Sequence, residues 1–308
     1  MAEPSRLGAL GLGITAAAGA LWWGAMAAFP EARRFFRSAD VPDAAFFSFA
    51  AADVPLFVGG NAIAAWMLWR RSQSPWTERV VWLAFGCTLY PTLHTLAETF
   101  RNDGATWAAS MSMLSATALV SLVAWATRQG GKTFTPSADR SVVAHLLRTL
   151  LYSAFFWGTF LGLAPWLLVR MEADLGIPQL PVVPWTVCAG LAAPAVILNL
   201  AAGVTMARIG RGTPLPQDTA RRLVVAGPYR VVRNPMALSG CTMVVLVGVA
   251  VRSPSVVTAG VAAAVAWHTL ARPPEEADLL ARFGEPYRRY QQEVPLWRLR
   301  WPPVPRQE

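Results

Sequence analysis

The sequence predicts an all-α, polytopic membrane protein with about eight transmembrane helices, and three observations support this prediction. The chain has 308 residues, of which 54% are hydrophobic and 15% are charged, whereas a soluble domain carries about 25% charged residues. Several apolar runs reach the roughly 20 residues that a helix needs to cross the hydrocarbon layer. These runs are continuous rather than alternating, which favours helices over the strands of a membrane β-barrel.

Two groups of four apolar runs account for the predicted helices. In chain order, the runs lie at 7–29, 45–69, 80–100 and 105–127, and then at 146–169, 185–207, 236–251 and 255–271. The first run is longer than the 7–15-residue core of a signal peptide, so we expect it to be retained as a helix. The seventh run is short for a full span, and we expect it to tilt little or to end inside the protein.

The segment from Gln129 to Arg140 separates the two groups and combines Gly, Pro, Ser and charged residues. Such a composition is typical of a linker. We therefore predict two domains, 1–136 and 137–308. The first is a four-helix membrane module whose role stays open, and the second contains the candidate site described below.

The net charge of +9 and the positions of the basic residues predict how the chain is oriented. With both termini in the cytoplasm, the inner loops hold most of the 27 Lys and Arg residues, as the positive-inside rule requires. One outer loop departs from the rule, because it carries Arg33, Arg34 and Arg37 beside several acidic residues. The arginines are spread over loops, which favours contact with anionic membrane lipids over nucleic-acid binding.

The three cysteines, Cys87, Cys188 and Cys241, lie far apart inside apolar runs. The sequence contains no Cys or Cys/His spacing of the kind that binds metal. We expect small buried side chains at these positions and no metal site.

Polar residues inside the first four runs form a candidate site. Asp53 lies in the second run, and His94 and Glu98 lie four residues apart in the third, so these two share one helix face. The direction of the chain places all three at a similar depth, and ionisable groups inside a span are functional candidates. The alternative is a hydrogen-bonded cluster that fixes helix packing.

A second candidate site is predicted where polar residues stand at both ends of the hairpin made by the last two runs. Arg230 and Arg233 precede the hairpin and offer planar guanidinium groups suited to a carboxylate or a phosphate. Asn234 precedes a proline and should therefore be extended. Glu275 and Glu276 follow the hairpin, so both polar segments lie on one side of it. The simpler interpretation of the glutamates is a solvated helix start after two prolines.

These segments together read GPYR-x-x-RNPM, an apolar hairpin, and EE-x-x-L-x-x-x-FG-x-x-Y-x-x-Y-x-x-x-VP. This pattern resembles the integral membrane methyltransferases, which include isoprenylcysteine carboxyl methyltransferase, phospholipid N-methyltransferases and many bacterial relatives. The resemblance covers about residues 208–295. It implies that S-adenosylmethionine binds between the start of the hairpin, the Glu-Glu segment and the C-terminal aromatic residues, and that a lipophilic acceptor enters from the bilayer.

The resemblance assigns roles by position. The expected cofactor-binding residues are Gly227, Tyr229, Arg233, Asn234, Pro235, Glu275, Glu276, Tyr287 and Tyr290, and the candidate catalytic residues are Arg233 and Asn234. A carboxylate would meet the ammonium group of the cofactor and Arg233 its carboxylate, while an aromatic face would meet the sulfonium. The family often has His at the position of Asn234 and Tyr at that of Ala237. Asn cannot titrate, which argues against a general base at this position.

The sequence therefore predicts S-adenosylmethionine-dependent methyl transfer to a lipophilic or membrane-associated acceptor. A lipid amine, a thiol, a carboxylate and a quinone-like compound all stay open as the acceptor. The alternative is a non-catalytic membrane transporter or lipid-sensing protein that uses Asp53, His94 and Glu98. The expected location is a bacterial inner membrane, crossed several times, with both termini cytoplasmic.

Overall fold

The computed structural model describes residues 4–37, 39, 41–70, 74, 76–104, 106–128, 134–215 and 218–305. This part of the chain is helical and contains no strand, so the all-α prediction is confirmed for it. Seven of its helices are long and apolar enough to cross a membrane. The chain divides into two compact units, Met1–Thr133 and Phe134–Glu308. Residues 129–133 of the predicted linker lie outside the described part.

The seventh of the predicted spans is shorter than the others. The run 236–251 forms the helix Pro235–Ala250, which has 16 residues. At about 1.5 Å per residue this helix is roughly 24 Å long, less than the roughly 30 Å of a hydrocarbon layer. A count of eight spans, and the orientation of the termini, stay predictions.

In its described residues, the first unit has four long helices and one short 3₁₀ helix. The long helices are α1 (Pro4–Ala28), α2 (Asp43–Trp69), α3 (Trp76–Arg101) and α4 (Trp107–Arg128), and the 3₁₀ helix is Pro30–Phe35. Small buried residues such as Ala64 and Ala84 let the helices pack closely around Leu12 and Val120. Inside this packing, Asn61 Nδ2 donates to Thr88 Oγ1 at 3.1 Å and joins α2 to α3.

Two of the three arginines that departed from the positive-inside pattern, Arg33 and Arg37, form ion pairs with a nearby aspartate. Arg33 and Arg37 each form an ion pair with Asp43, at 2.6 and 2.5 Å. Arg33 Nε also donates to the carbonyl of Met26 in the last turn of α1, at 2.6 Å. These contacts neutralise part of the loop's charge and close a helix end, and they explain why the loop carries arginines.

The second unit contains five helices in its described part. They are α5 (Val142–Leu175), α6 (Trp185–Gly210), α7 (Pro235–Ala250), α8 (Pro254–Phe283) and α9 (Glu285–Glu293). A short 3₁₀ helix, Gly227–Arg230, lies in the loop between α6 and α7. Helices α7 and α8 form the predicted hairpin. A Cβ on Gly248 would lie 2.6 Å from the backbone nitrogen of Val257. The absence of a side chain at Gly248 therefore lets the backbones of α7 and α8 come close together.

The turn of the hairpin is held by a buried carboxylate from α5. Glu172 Oε1 accepts hydrogen bonds from Ser253 Oγ at 2.8 Å and from the backbone N–H of Ser255 at 2.6 Å. Both donors belong to the start of α8, and the N–H of Ser255 is one of the groups that a helix start leaves without a partner. The Arg252 side chain donates to the carbonyl of Leu180 at 2.9 Å. One end of the hairpin is therefore fixed to α5.

Helix α8 is longer than the predicted run 255–271, because it continues to Phe283 without a break. Pro273 and Pro274 had suggested a new helix start, yet they lie directly after a π-helical turn at Trp267–Ala271. Proline has no N–H to donate to the preceding turn. The Arg272 side chain donates to the carbonyl of His268 instead, at 3.1 Å. The wider turn and this side-chain bond let the helix pass through both prolines.

Candidate functional site

The two polar segments that flank the hairpin meet at one of its ends. Arg233 Nη1 lies 3.0 Å from Glu276 Oε1, and the other carboxylate oxygen, Oε2, lies 2.9 Å from Arg272 Nη1. The side chains of Arg233 and Glu276 are each 17% exposed. Glu275 is the preceding residue of α8 and is half-buried. Two cations, Arg233 and Arg272, therefore meet one carboxylate, Glu276, where α7 begins and α8 ends its apolar part.

Asn234 forms the N-cap of α7. Its side-chain oxygen accepts a hydrogen bond from the backbone N–H of Ala237 at 3.0 Å, and Pro235 follows as the first helical residue. This is the usual function of Asn before a helix, where it satisfies one of the free N–H groups. The oxygen of the Asn234 amide is thus engaged in the helix start.

The GPYR segment is packed against the end of α6. Gly227 has φ +52°, and a Cβ at this position would lie 2.7 Å from Thr205 Oγ1. Only glycine combines this conformation with so close an approach. Tyr229 is buried in a cluster that includes Ala202 and Val224. The segment is therefore held rigidly, seven residues before the N-cap of α7.

The two tyrosines of the tail motif are buried in the core that α9 forms with the C-terminal segment. Their ring centroids are 6.1 Å apart, and Tyr290 Oη donates to the carbonyl of Tyr229 at 2.9 Å. Burial, followed by the negative charge of Glu276, raises the pKa of Tyr287 above its ordinary value. Burial likewise raises the pKa of Tyr290. Both hydroxyls are therefore neutral at physiological pH, and Tyr290 links α9 to the GPYR segment.

The C-terminal segment folds back over the loop before α7. The backbone N–H of Arg233 donates to the carbonyl of Pro295 at 2.9 Å, and that of Arg300 donates to the carbonyl of Val231 at 2.8 Å. Arg230 Nε donates to the carbonyl of Val304 at 2.5 Å. Arg230 is thereby occupied by the tail, whereas Arg233 points to the glutamates.

Sequence reasoning missed three residues at this end of the hairpin. Trp297 Nε1 donates to His268 Nδ1 at 3.1 Å, and the indole packs edge to face on Trp267 with centroids 5.4 Å apart. Because Nδ1 accepts, a neutral His268 ring carries its proton on Nε2. His268, Arg272 and Glu276 follow one another at intervals of four and therefore share a face of α8. That spacing could have indicated His268 and Arg272, whereas no sequence pattern points to Trp297.

A buried carboxylate anchors the loop that precedes the GPYR segment. Asp218 accepts hydrogen bonds from Ser137 Oγ at 2.5 Å, Arg140 Nη1 at 3.2 Å and Arg148 Nε at 3.0 Å. Burial acts to raise the pKa of Asp218, but the hydrogen bond from Ser137 and the charges of Arg148 and Arg140 outweigh it, so the pKa lies below its ordinary value. The loop is thus held to the start of α5.

The residues predicted to form a site in the first unit are only partly brought together. Asp53 accepts a hydrogen bond from the hydroxyl of Tyr90, a residue that the sequence did not single out. The His94 ring packs on Phe49 with centroids 4.8 Å apart. Glu98 pairs with Arg101 at 2.6 Å, in the last turn of α3. Tyr90 precedes His94 by four residues, and this spacing was the available signal.

The donor groups suit some ligands better than others. Among the described residues, no group of three or more His, Cys, Asp or Glu side chains could hold a metal ion. At the hairpin end, paired arginines and glutamates can instead bind a molecule that carries both an ammonium and a carboxylate. No known protein family, curated protein or solved structure matches the chain.

Proposed function

We propose that the chain is a membrane methyltransferase that uses S-adenosylmethionine to methylate a lipophilic acceptor. The observation that carries this proposal is the ion pair between Arg233 and Glu276, which joins two sequence segments 43 residues apart. Both segments match the motifs on which the resemblance to integral membrane methyltransferases rests. The seven long apolar helices fit an enzyme whose acceptor is dissolved in a membrane.

The ion pair suggests how the amino-acid part of the cofactor is held. Arg233 and Glu276 are in contact, at 3.0 Å, so a ligand has to open this pair to bind between them. A zwitterion can replace both partners, because its carboxylate binds Arg233 and its ammonium binds Glu276. Arg272 keeps Glu276 oriented during the exchange, through its own contact at 2.9 Å. Each charged group then keeps a partner of opposite charge, so the exchange costs little free energy at this partly buried site.

Methyl transfer mainly requires that the methyl donor and the acceptor are held in line. When bound, S-adenosylmethionine would supply a methyl group on a sulfonium, which a lone pair of the acceptor would displace, with the electron pair of the carbon–sulfur bond going to sulfur. The residues of the chain hold the two molecules in line, and such alignment alone contributes a large effective concentration. Asn234 and Pro235 fix the start of α7 beside the cofactor groups, through the cap at 3.0 Å. An amine or thiol acceptor gives its proton to water or to a nearby base.

Binding of the cofactor tests the proposal directly. We expect the detergent-solubilised protein to bind S-adenosylmethionine saturably in isothermal titration calorimetry, and Glu276→Gln to weaken binding at least about tenfold, the equivalent of a charged hydrogen bond. Glu285→Gln is the matched control, because Glu285 forms an exposed pair with Arg288 at 3.3 Å. Wild-type protein without measurable binding, or equal binding by Glu276→Gln, would refute the proposal.

A second candidate function rests on a different observation. Asp53 lies in the apolar helix α2 and is hydrogen-bonded to Tyr90 of α3. An ionisable group at such a position fits a transporter or a lipid-sensing protein. In that case, Asp53→Asn would change the phenotype of a complemented deletion strain, whereas Glu276→Gln would leave it unchanged. The opposite pattern favours the methyltransferase.

A further inference from the structure

The C-terminal tail presents an exposed apolar and basic segment outside the helices. Residues 298–301 read Arg-Leu-Arg-Trp. Leu299 is 64% exposed and Trp301 is 88% exposed. Arg298 is also exposed and forms no ion pair among the described residues. Large apolar side chains that are exposed together mark interaction surfaces more often than single ones do. The segment therefore suits a surface outside the chain that accepts both apolar and cationic side chains.

The backbone around this segment is fixed on both sides of Trp301. The backbone N–H of Arg300 donates to the carbonyl of Val231 at 2.8 Å, and that of Val304 donates to the carbonyl of Arg230 at 3.2 Å. The Val304 side chain is buried in the core that α9 forms with the tail. The chain is thus bonded immediately before Trp301 and again three residues after it. The indole is exposed because the folded tail turns it outward, and not because the end of the chain is frayed.

The contacts of the tail place this segment at one end of the apolar hairpin. Trp297 packs on Trp267, with ring centroids 5.4 Å apart, and Trp267 lies about one helical turn before the apolar part of α8 ends. Val231, which holds the other side of the segment, precedes Pro235 at the start of α7 by four residues. Trp301 follows Trp297 by four residues, at most about 14 Å of extended chain. The indole is therefore within reach of a headgroup layer, which is roughly 5–7 Å thick on each side of the hydrocarbon.

Other exposed tryptophans of the chain lie where a membrane boundary is expected. Trp69 ends α2, Trp76 begins α3 and Trp185 begins α6, and all three are exposed. Tryptophan is enriched at the membrane–water boundary, because its ring is apolar and its N–H is polar. Trp301 is more exposed than any of these three, although it belongs to no long helix. Its exposure in the tail has the same explanation if the tail lies on the membrane.

The charge of the segment indicates which surface it fits. Residues 296–305 contain two arginines and no acidic residue. Arg298 and Trp301 line an open hollow of about 510 Å³, which leaves room for a headgroup beside the guanidinium. Basic residues next to tryptophan and leucine are typical of segments that lie in the interface of an anionic membrane.

We propose that residues 298–301 anchor the tail to the anionic surface of the membrane that the long helices cross. Leu299 and Trp301 enter the boundary between headgroups and acyl chains, and Arg298 contacts lipid phosphates. The Arg300 side chain stays bonded to the carbonyl of Glu293, at 2.6 Å, and keeps the turn of the tail in shape. The anchor holds the tail over the loop before α7. The inference does not rest on methyl transfer.

The depth of a spin label in the tail tests the proposal. The full chain carries Leu299→Cys on a background in which Cys87, Cys188 and Cys241 are replaced by alanine. The protein is studied in nanodiscs of phosphatidylglycerol, which is anionic, or of phosphatidylcholine, which is zwitterionic. In phosphatidylglycerol, electron paramagnetic resonance should find the label more accessible to oxygen, which concentrates in the bilayer, than to a water-soluble nickel complex. A label at Glu285→Cys, on the exposed polar side of α9, should show the reverse.

Substitutions in the labelled chain separate the apolar contribution from the charged one. Trp301→Ser should lower the ratio of membrane-bound to aqueous label at least about tenfold in both lipids, because burial of the indole is lost. Trp301→Phe keeps an apolar ring and should retain most of the binding. Arg298→Gln should lower the ratio about fivefold in phosphatidylglycerol and leave it unchanged in phosphatidylcholine. Arg289→Gln, on the exposed side of α9, is the matched control.

Three results would overturn the proposal. A label at position 299 that is as accessible to the nickel complex as the label at position 285 would mean that the tail stays in water. A label shielded from both reagents would mean that protein, such as a second copy of the chain, covers the segment. An unchanged ratio for Arg298→Gln in phosphatidylglycerol would mean that the segment does not recognise anionic headgroups. Thermal melts show whether each variant is folded, and none of these measurements requires an assay of activity.

Discussion

Arg233 and Glu276 are 43 residues apart in sequence, yet their side chains form an ion pair at 3.0 Å. The contact closes the hairpin of α7 and α8 at the end opposite the turn that Glu172 holds. Both ends of the hairpin are therefore tied by carboxylates that are at most partly exposed. Because the proposed cofactor site and the stability of the hairpin share this pair, experiments have to separate the two contributions.

A charge reversal separates folding from binding at the ion pair. We expect Arg233→Glu and Glu276→Arg each to lower thermal stability, and the double variant to recover part of the loss, with a coupling energy of roughly 0.5–3 kcal/mol. The reversed pair leaves the cofactor's carboxylate facing a glutamate, so binding of S-adenosylmethionine should stay lost in the double variant. Thermal melts and calorimetry measure the two effects. Recovery of both would show that the orientation of the pair is irrelevant to binding.

A glycine pair tests how tightly the GPYR segment is packed. Gly227 and Gly176 both have positive φ, +52° and +65°, but only Gly227 is crowded, since a Cβ there would lie 2.7 Å from Thr205 Oγ1. Thr205 cannot easily move, because it donates to the carbonyl of Ala201 at 2.7 Å. We expect Gly176→Ala to cost about 1–2 kcal/mol through its backbone conformation alone. Gly227→Ala should cost roughly 1–3 kcal/mol more through overpacking.

Thermal or chemical unfolding of the two alanine variants gives these differences. Equal losses would mean that Thr205 moves aside freely. In that case the close approach of α6 to the GPYR segment does not help to position the residues that follow this segment, including Arg233 and its ion pair.

The sequence was sufficient to predict that the Arg233 and Glu276 segments lie at the same end of a hairpin. Two adjacent apolar runs that form a hairpin return the chain to the side from which it came, so the residues before and after the hairpin lie at the same end of it. Asp53, His94 and Glu98 were expected at a similar depth, with His94 and Glu98 on one helix face. Glu98 forms an ion pair with Arg101 on the same helix at 2.6 Å, whereas the His94 ring packs on Phe49.

The contacts made by the tail and the long loop could not be predicted. Trp297 reaches His268, and Asp218 reaches Arg148, across irregular segments whose course follows from many weak contacts rather than from periodicity. The sequence also did not predict that α8 continues through Pro273, because two successive prolines usually indicate a helix start. The π-helical turn at Trp267–Ala271 accommodates the two prolines, and no sequence pattern predicts such a turn.

The buried Asp218 predicts a dependence of stability on acidity. Its folded-state pKa lies below the ordinary value because Ser137, Arg148 and Arg140 outweigh the effect of burial. A carboxyl with a depressed pKa stabilises the fold fully above its unfolded pKa of roughly 4, and this stability is lost as the pH falls through the lower folded value. We expect Asp218→Asn to lower stability at neutral pH by roughly 1–3 kcal/mol and to flatten the change below about pH 4.

Acid titrations of thermal stability compare the variant with wild type. Asp139→Asn is the matched control, since Asp139 is 89% exposed and pairs with Arg221 at 2.8 Å. A surface pair of this kind contributes little, so the control should follow the wild-type curve. If Asp218→Asn also follows that curve, the three hydrogen bonds to Asp218 do not stabilise the charged form.

The contact between Trp297 and His268 predicts a variant that changes turnover without changing cofactor affinity. Trp297→Phe keeps an aromatic ring but removes the N–H that donates to His268 Nδ1 at 3.1 Å. A neutral His268 is then free to carry its proton on either nitrogen, and its ring loses a fixed orientation. Since His268 shares a face of α8 with Arg272 and Glu276, we expect the proposed methyl transfer to fall about fivefold, the equivalent of one neutral hydrogen bond.

A comparison of turnover with cofactor affinity distinguishes this positioning role from loss of packing. With the hydrogen bond removed, the proposed methyl transfer should slow, whereas affinity for S-adenosylmethionine should stay within about twofold, an energy of roughly 0.4 kcal/mol. Trp301→Phe is the control, because Trp301 belongs to the same tail and is 88% exposed. A parallel loss of affinity and thermal stability, or an equal effect of Trp301→Phe, would assign Trp297 to the packing of the tail alone.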